Sequence, residues 1–231
     1  MQELADLNPE EHGALRVQPP APETRCFVEI VASEFAAAAT CCPIFFTKNP
    51  ETGALYPGAM FGFRSGEILV GDPADGPAPF VPLDRKRSGF YIAGDHIAID
   101  ESSERFSRTT GEPLFESDGT PAPALRAIQA VLTQLHQGQA ETQAFTRAML
   151  DLKLIEPIDI SLSFDDGEKL ILKGLYTISL DALKELDDAT IVALFRSGHL
   201  QLAYTVALSS RQVRLMAARR NHRLTEVPVR R

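Results

Sequence analysis

The sequence predicts an α+β protein, because tracts typical of antiparallel strands alternate with tracts typical of helices. Branched and aromatic residues bounded by Asn, Pro, Gly and Ser predict hairpins at 44–70, 90–100 and 158–178. Apolar residues at helical spacing mark 121–152 and most of 179–221. Together they predict antiparallel hairpins forming one or two sheets, packed against an αα-hairpin and a C-terminal helical bundle.

The strand tracts are interrupted by residues that favour turns. Within 42–70, the segments 48–53 and 64–66 separate three apolar runs, which predicts a three-stranded meander. Apolar and polar residues alternate over 158–164, and the Asp-Asp-Gly segment at 165–167 supplies the turn of a further hairpin.

The helix pair is predicted from its end signals. Thr120 can cap a helix whose first turn contains Pro121. Gly138 is expected to end that helix, and a second helix is predicted over 140–152. Two helices joined so closely form an αα-hairpin.

Further helical tracts lie on either side of this pair. Part of 25–40 has helical spacing, and short helices are predicted over 179–186 and 187–196. The tract 199–221 is predicted as the last and longest helix. Its apolar residues are Leu200, Tyr204, Ala207, Leu208 and Leu215.

Length and composition fit a single domain. A chain of 231 residues with 44% hydrophobic content can bury roughly 70–75% of its unfolded surface. Residues 1–24 lack periodicity and include a proline cluster, so we expect a flexible N-terminal arm there. We expect one domain over 25–223 and a basic tail over 224–231.

The sequence favours a cytoplasmic location. Residues 1–22 have no apolar segment of the kind found in secretory signals. No stretch approaches the ~20 apolar residues that a membrane-spanning helix needs. The three cysteines, Cys26, Cys41 and Cys42, are too few for a disulfide framework. We interpret the adjacent pair as small apolar residues.

Charge is unevenly distributed along the chain. The net charge is −8, yet residues 211–231 contain seven arginines and one glutamate. A basic segment on an acidic protein can contact nucleic acid, an anionic membrane or an acidic partner, or can simply suit a helix C-terminus. Residues 188–223 resemble a helix-turn-helix, but their arginines lie at the far end of the second helix, so specific DNA recognition is not expected.

Common catalytic and cofactor motifs are absent from the sequence. There is no GxGxxG, GxxxxGK[ST] or GxSxG pattern. The five histidines are scattered, and no pair has the i, i+4 spacing of metal ligands on one helix face. We therefore predict no cofactor and no metal site.

The polar tract 100–118 is the candidate site. Its paired carboxylates have the chemistry to bind a cation or to act as acid and base; alternatively they hold turns in a solvated loop. Basic residues nearby in the sequence are candidates for an anion-binding edge. The candidate binding residues are Asp100, Glu101, Ser102, Glu112, Asp118, Arg64 and Arg87.

Several tracts in a fixed order resemble a known family. They are PIFFTKNPETG at 43–53, LYPGAMFGFR at 55–64, IDES at 99–102, GEPLF at 111–115 with DG at 118–119, GLY at 174–176, and LAY at 202–204 running into LS at 208–209. In these tracts the chain resembles the bacterial SapC-like family. Members are often encoded beside halogenase-like proteins, cupin-like proteins and TonB-dependent receptors. The resemblance implies an accessory role in uptake or modification of a nutrient or peptide. It provides no catalytic residue that can be carried over to this chain.

We expect a non-enzymatic accessory or binding protein that acts with a protein partner. Its contact surfaces would be the 100–118 loop and the basic last helix. An enzyme that modifies a peptide or small molecule with the loop carboxylates is the alternative. A nucleic-acid binder using the C-terminal arginines is a third hypothesis.

Overall fold

The computed structural model describes residues 4–71 and 78–226. The fold is α+β, as the sequence predicts. Its backbone forms two compact units, one from the described residues of Met1–Glu23 and Val81–Gln137, the other from those of Thr24–Phe80 and Gly138–Arg231.

The helices and strands follow in chain order. The first half contains β1 (Leu4–Asp6), α1 (Pro9–His12), β2 (Arg16–Val17), β3 (Phe27–Glu29), a 3-10 turn (Ala32–Glu34), α2 (Phe35–Ala38), β4 (Ile44–Lys48), β5 (Leu55–Met60), α3 (Leu83–Lys86), β6 (Phe90–Ala93), β7 (His96–Asp100), β8 (Phe106–Ser107) and β9 (Glu112–Pro113). The second half contains α4 (Pro123–Asp151), β10 (Ile155–Ser163), β11 (Lys169–Ile178), α5 (Leu180–Lys184), α6 (Asp188–Arg196), α7 (His199–Ser209) and α8 (Gln212–Glu226).

The first unit contains two small antiparallel sheets, in the strand orders β1-β7-β6 and β8-β2-β9. The β6–β7 hairpin is the one predicted at 90–100. Strands β1 and β2 and helix α1 occupy much of the segment predicted to be a flexible arm. Asn8 caps α1 by accepting a 2.9 Å hydrogen bond from the Glu11 amide, and Leu15 and Val17 are buried. These strands are too short for a visible alternation, which explains why the sequence pattern missed them.

The second unit contains a five-stranded antiparallel sheet in the order β10-β11-β4-β5-β3. The hairpins β4–β5 and β10–β11 confirm the predicted strand pairs. The prediction of a third meander strand is wrong, because 67–70 is not a strand. The strand that pairs with β5 on that side is β3. Glu67 accepts a hydrogen bond from the Phe63 amide, which holds this segment as a compact turn. The described residues thus form three sheets rather than one or two.

The predicted αα-hairpin is wrong, because α4 is a single helix of 29 residues. Gly138 lies inside it rather than at its end. A Cβ placed on Gly138 would lie 2.7 Å from Cγ2 and 2.9 Å from Cβ of Val31. The glycine therefore permits a close approach between the helix and the segment after β3.

The C-terminal half of α4 packs into the core of the second unit. The Phe145 ring lies 5.9 Å from that of Phe35, 6.2 Å from that of Phe46 and 5.6 Å from that of His199. Such aromatic contacts add to the free energy gained by burying the rings. This cluster joins α2, β4, α4 and α7 in one core.

The helices α5 and α6 match the predicted ones. The predicted last helix is instead divided into α7 and α8 at Ser210 and Arg211, and α4 is longer than either. The run His199–Thr225 keeps a common direction, and α6 meets it at a bend of 90°.

We expect Gly138→Ala to lower the free energy of unfolding by about 1 kcal/mol, because overpacking costs ~1–3 kcal/mol and outweighs the gain of about 1 kcal/mol in helix propensity. In a Val31→Gly background, which removes the Cβ of Val31 as well as its methyl groups, the same change should stabilise the protein. Urea unfolding of the four variants in this cycle measures both effects. Stabilisation in both backgrounds would contradict the role assigned to the Val31 contact.

Candidate functional site

The residues predicted in the 100–118 tract hold turns in the first unit. Asp100 ends β7, is buried, and accepts hydrogen bonds from the Ser102 amide at 3.1 Å and from its hydroxyl at 2.6 Å. Glu101 is exposed, and its Oε1 lies 3.2 Å from Nε2 of the buried His12. Asp100 and Ser102 are therefore brought together, in a local turn.

The other two acidic candidate residues, Glu112 and Asp118, are exposed to solvent. Glu112 is exposed in β9, where it pairs with Val17 of β2. Asp118 is exposed and accepts hydrogen bonds from the hydroxyl of Thr120 at 2.6 Å and from its amide at 2.9 Å. These bonds hold the pKa of the Asp118 carboxyl below its usual value. The binding role of Glu112 and Asp118 stays a prediction.

The two candidate arginines lie in different units, and each has an internal partner. Arg87 forms an ion pair with Asp84 at 2.6 Å, and its guanidinium lies 5.3 Å from the Tyr91 ring centroid. Arg64, in the second unit, forms an ion pair with Glu168.

The inner face of α8 contains a buried arginine cluster, which we define as Arg220 with Glu67, Glu168 and Phe164. Arg220 Nε lies 3.1 Å from Glu67 Oε1, and Nη2 lies 2.6 Å from Glu168 Oε2. The guanidinium carbon lies 4.0 Å from the Phe164 ring centroid. A planar guanidinium can bind two carboxylates and stack on a ring at once.

Two neighbouring arginines of α8 also bind the protein itself. Arg219 donates to the carbonyl of Leu69 at 3.4 Å, and Arg223 donates to that of Ile68 at 2.5 Å. Part of the basic segment predicted as a contact surface therefore attaches α8 to the turn after β5.

The outer face of α7 and α8 carries exposed apolar side chains. Tyr204 is 45%, Leu208 52% and Leu215 54% exposed. They belong to a row with alternating spacings of four and three residues, which we call the outer stripe. It consists of Tyr204, Leu208, Arg211, Leu215, Ala218 and His222, all exposed.

The helix α6 also carries exposed apolar side chains. Val192 is 45% exposed, and Phe195 is 72% exposed. Scattered exposed apolar residues are common, whereas grouped ones mark interaction surfaces. The sequence identified Tyr204, Leu208 and Leu215 as an apolar face but gave no sign that this face would point outward.

The comparison with known families identifies the chain. A model of the SapC family matches residues 7–216. The chain belongs to the SapC family. No curated protein and no solved structure matches it.

The adjacent cysteines of this SapC-family chain lie in its core. Cys41 is 5% and Cys42 0% exposed, and their sulfur atoms are 3.7 Å apart. The hydrogen bond from Cys42 lowers the pKa of Cys41 to about 7, whereas the same bond and burial raise that of Cys42. Within the described residues, no three His, Cys, Asp or Glu side chains are grouped as metal ligands would be.

No helix in the described part of the chain is long and apolar enough by itself to cross a membrane. The helix α6 and the run His199–Thr225 reach that length and composition only together, across their 90° bend.

We expect Arg220→Ala to lower the free energy of unfolding by about 3 kcal/mol, because it leaves the partly buried Glu67 carboxylate without its cation and removes one of the two cations paired with Glu168. The matched control is Arg214→Ala on the exposed face of α8, which should change it by no more than about 0.5 kcal/mol. Urea unfolding measures both variants. Equal effects of the two would contradict a structural role for the arginine cluster.

Proposed function

We propose that this SapC-family chain is a non-enzymatic accessory protein that binds a partner protein through the outer stripe. The role would be in uptake or modification of a nutrient or peptide, as the family resemblance implies. The observation that carries the proposal is the exposure of Tyr204, Leu208 and Leu215 along one helix face.

The spacing of the outer stripe suits a helix as its partner. Apolar residues at alternating intervals of three and four form the contact row of two packed helices. Full burial of a leucine side chain is worth roughly 1.5–3 kcal/mol. Because Tyr204, Leu208 and Leu215 are about half exposed, their burial by a partner supplies roughly half of that value each. Further contacts with the partner must meet the rest of the cost of binding.

The charges around the outer stripe indicate an acidic partner. Arg211 lies within the stripe, and Arg214 is exposed beside it. Complementary charge steers association and selects partners. We therefore infer an amphipathic helix whose apolar row is flanked by Asp or Glu.

A second copy of the chain fits this surface less well. In an antiparallel pairing of two stripes about their midpoint, Arg211 of each copy lies opposite Leu215 of the other. Such a pairing places a charged side chain against an apolar one, which costs free energy of desolvation without a pairing charge.

The proposal places the protein in the bacterial cytoplasm. Cys26, Cys41 and Cys42 are all free thiols, which suits a reducing compartment. The enzyme alternative gains little support from the geometry, since the Asp100 carboxylate is engaged by Ser102.

We expect Leu208→Glu with Leu215→Glu to abolish capture of a stoichiometric partner from a lysate of the source organism. These two substitutions would place carboxylates in the apolar contact between the outer stripe and the partner. The matched control is Ile171→Glu, because Ile171 is 55% exposed on β11 and is not part of the outer stripe. Mass spectrometry of the captured material identifies the partner.

The captured protein should bind less tightly as salt rises and should lose affinity for Arg211→Glu with Arg214→Glu. Light scattering tests whether a second copy of the chain binds the outer stripe. Vesicle sedimentation tests whether an anionic membrane binds it. Self-association through the outer stripe, binding to anionic vesicles alone, or no stoichiometric partner would contradict the proposal.

A further inference from the structure

The second unit contains a cavity of about 540 Å³ between the C-terminal half of α4 and the strands β3 and β5. Its size is in the range of sites for small organic ligands. The cavity is unrelated to the outer stripe. Its lining residues include Glu29, Tyr56, Thr142, Thr146, Arg147 and Asp151.

Two threonines one helical turn apart line the cavity, and both are buried. The Thr142 hydroxyl donates to the Gly138 carbonyl at 2.6 Å and accepts from the Ala32 amide at 2.7 Å. The Thr146 residue is 7% exposed, and its hydroxyl has no hydrogen-bond partner among the described residues. A buried hydroxyl without a partner is costly, and a bound ligand can remove that cost.

Charged side chains of both signs line the same cavity. Glu29 extends from β3, and Arg147 and Asp151 lie one turn apart on α4. Arg147 and Asp151 are exposed and have no ion pair within residues 4–71 and 78–226. Burial and the charge of Glu29 raise the pKa of Tyr56, so its phenol remains a neutral donor at physiological pH.

The rest of the lining combines aliphatic residues with four uncharged polar ones, Asn49, Thr52, Gln139 and Gln143. Val31, Leu55, Pro57 and Leu150 contribute apolar surface. A ligand with an aliphatic part and two oppositely charged ends would match this composition. A simple anion would contact Arg147 but neither acidic side chain. A simple cation would contact Glu29 or Asp151 but not Arg147.

We propose that this cavity binds a zwitterion with an aliphatic side chain, either a free amino acid or a short peptide with unblocked ends. The carboxylate of the ligand pairs with Arg147, and its ammonium group pairs with Glu29 or Asp151. The Thr146 hydroxyl provides a further hydrogen bond. This inference does not depend on the partner protein.

Calorimetric titration of the full chain with L-leucine and tri-L-leucine tests the proposal, and the two probes distinguish an amino acid from a peptide. We expect saturable binding of at least one probe. Amidation of its carboxylate or acetylation of its amino group should each weaken binding about tenfold or more, because each removes a charge-assisted pair.

Variants assign the contacts. Arg147→Gln should weaken binding of the free-acid probe about tenfold and leave binding of its amide unchanged. Thr146→Val should weaken binding roughly fivefold while raising the melting temperature, because the unpartnered hydroxyl is removed. The matched control is Thr177→Val, since the Thr177 hydroxyl in β11 is also buried without a partner but lies outside the cavity. It should raise the melting temperature and leave binding unchanged.

Binding of neither probe would overturn the proposal. Equal binding of the free and the blocked probes would overturn it as well, because the charged ends would then play no part. Equal affinity of wild type, Arg147→Gln and Thr146→Val for a bound probe would place that probe elsewhere.

Discussion

The burial of Arg220 on the inner face of α8 is the constraint on which the C-terminal region depends. The guanidinium is held by Glu67 and Glu168 and stacks on Phe164. If the Arg220 side chain rotated outward, Glu67 would lose its cation and Glu168 would keep Arg64 alone. The orientation of α8 is therefore fixed by these polar contacts together with the buried Val213 and Met216.

A buried polar side chain also occurs on α7. The buried Ser209 accepts a 2.8 Å hydrogen bond from the Ile44 amide, whereas Leu208 beside it is exposed. Each of the two helices thus buries a polar side chain among apolar ones, which are Ala203 and Val206 on α7 and Val213 and Met216 on α8. A helix whose only role was to cover the sheet would be expected to keep its large apolar residues on that inner face. The further apolar row on the outer face is the observation on which the proposed partner site rests.

The sequence predicted what depends on local chemistry and missed what depends on distant neighbours. The β10–β11 hairpin was predictable because alternation and the Asp-Asp-Gly turn lie within one short tract. The position of Gly138 inside a helix was not predictable, because its role depends on Val31, which only the folded chain brings near. The outward direction of Leu208 and Leu215 was hidden for the same reason. The carboxylates of 100–118 were located as a turn-rich tract, but Thr146 and Arg147 gave no sequence signal of a cavity.

The chain contains no tryptophan, so Leu215→Trp creates a single reporter in the outer stripe. Acrylamide quenching of this indole in the isolated full chain tests most directly whether the inner contacts leave the stripe open. Because Leu215 is 54% exposed, we expect quenching well above that of a buried indole, and protection once the captured partner is added. A shielded indole in the isolated protein would show that the chain already covers this surface, and would contradict its role as a partner site.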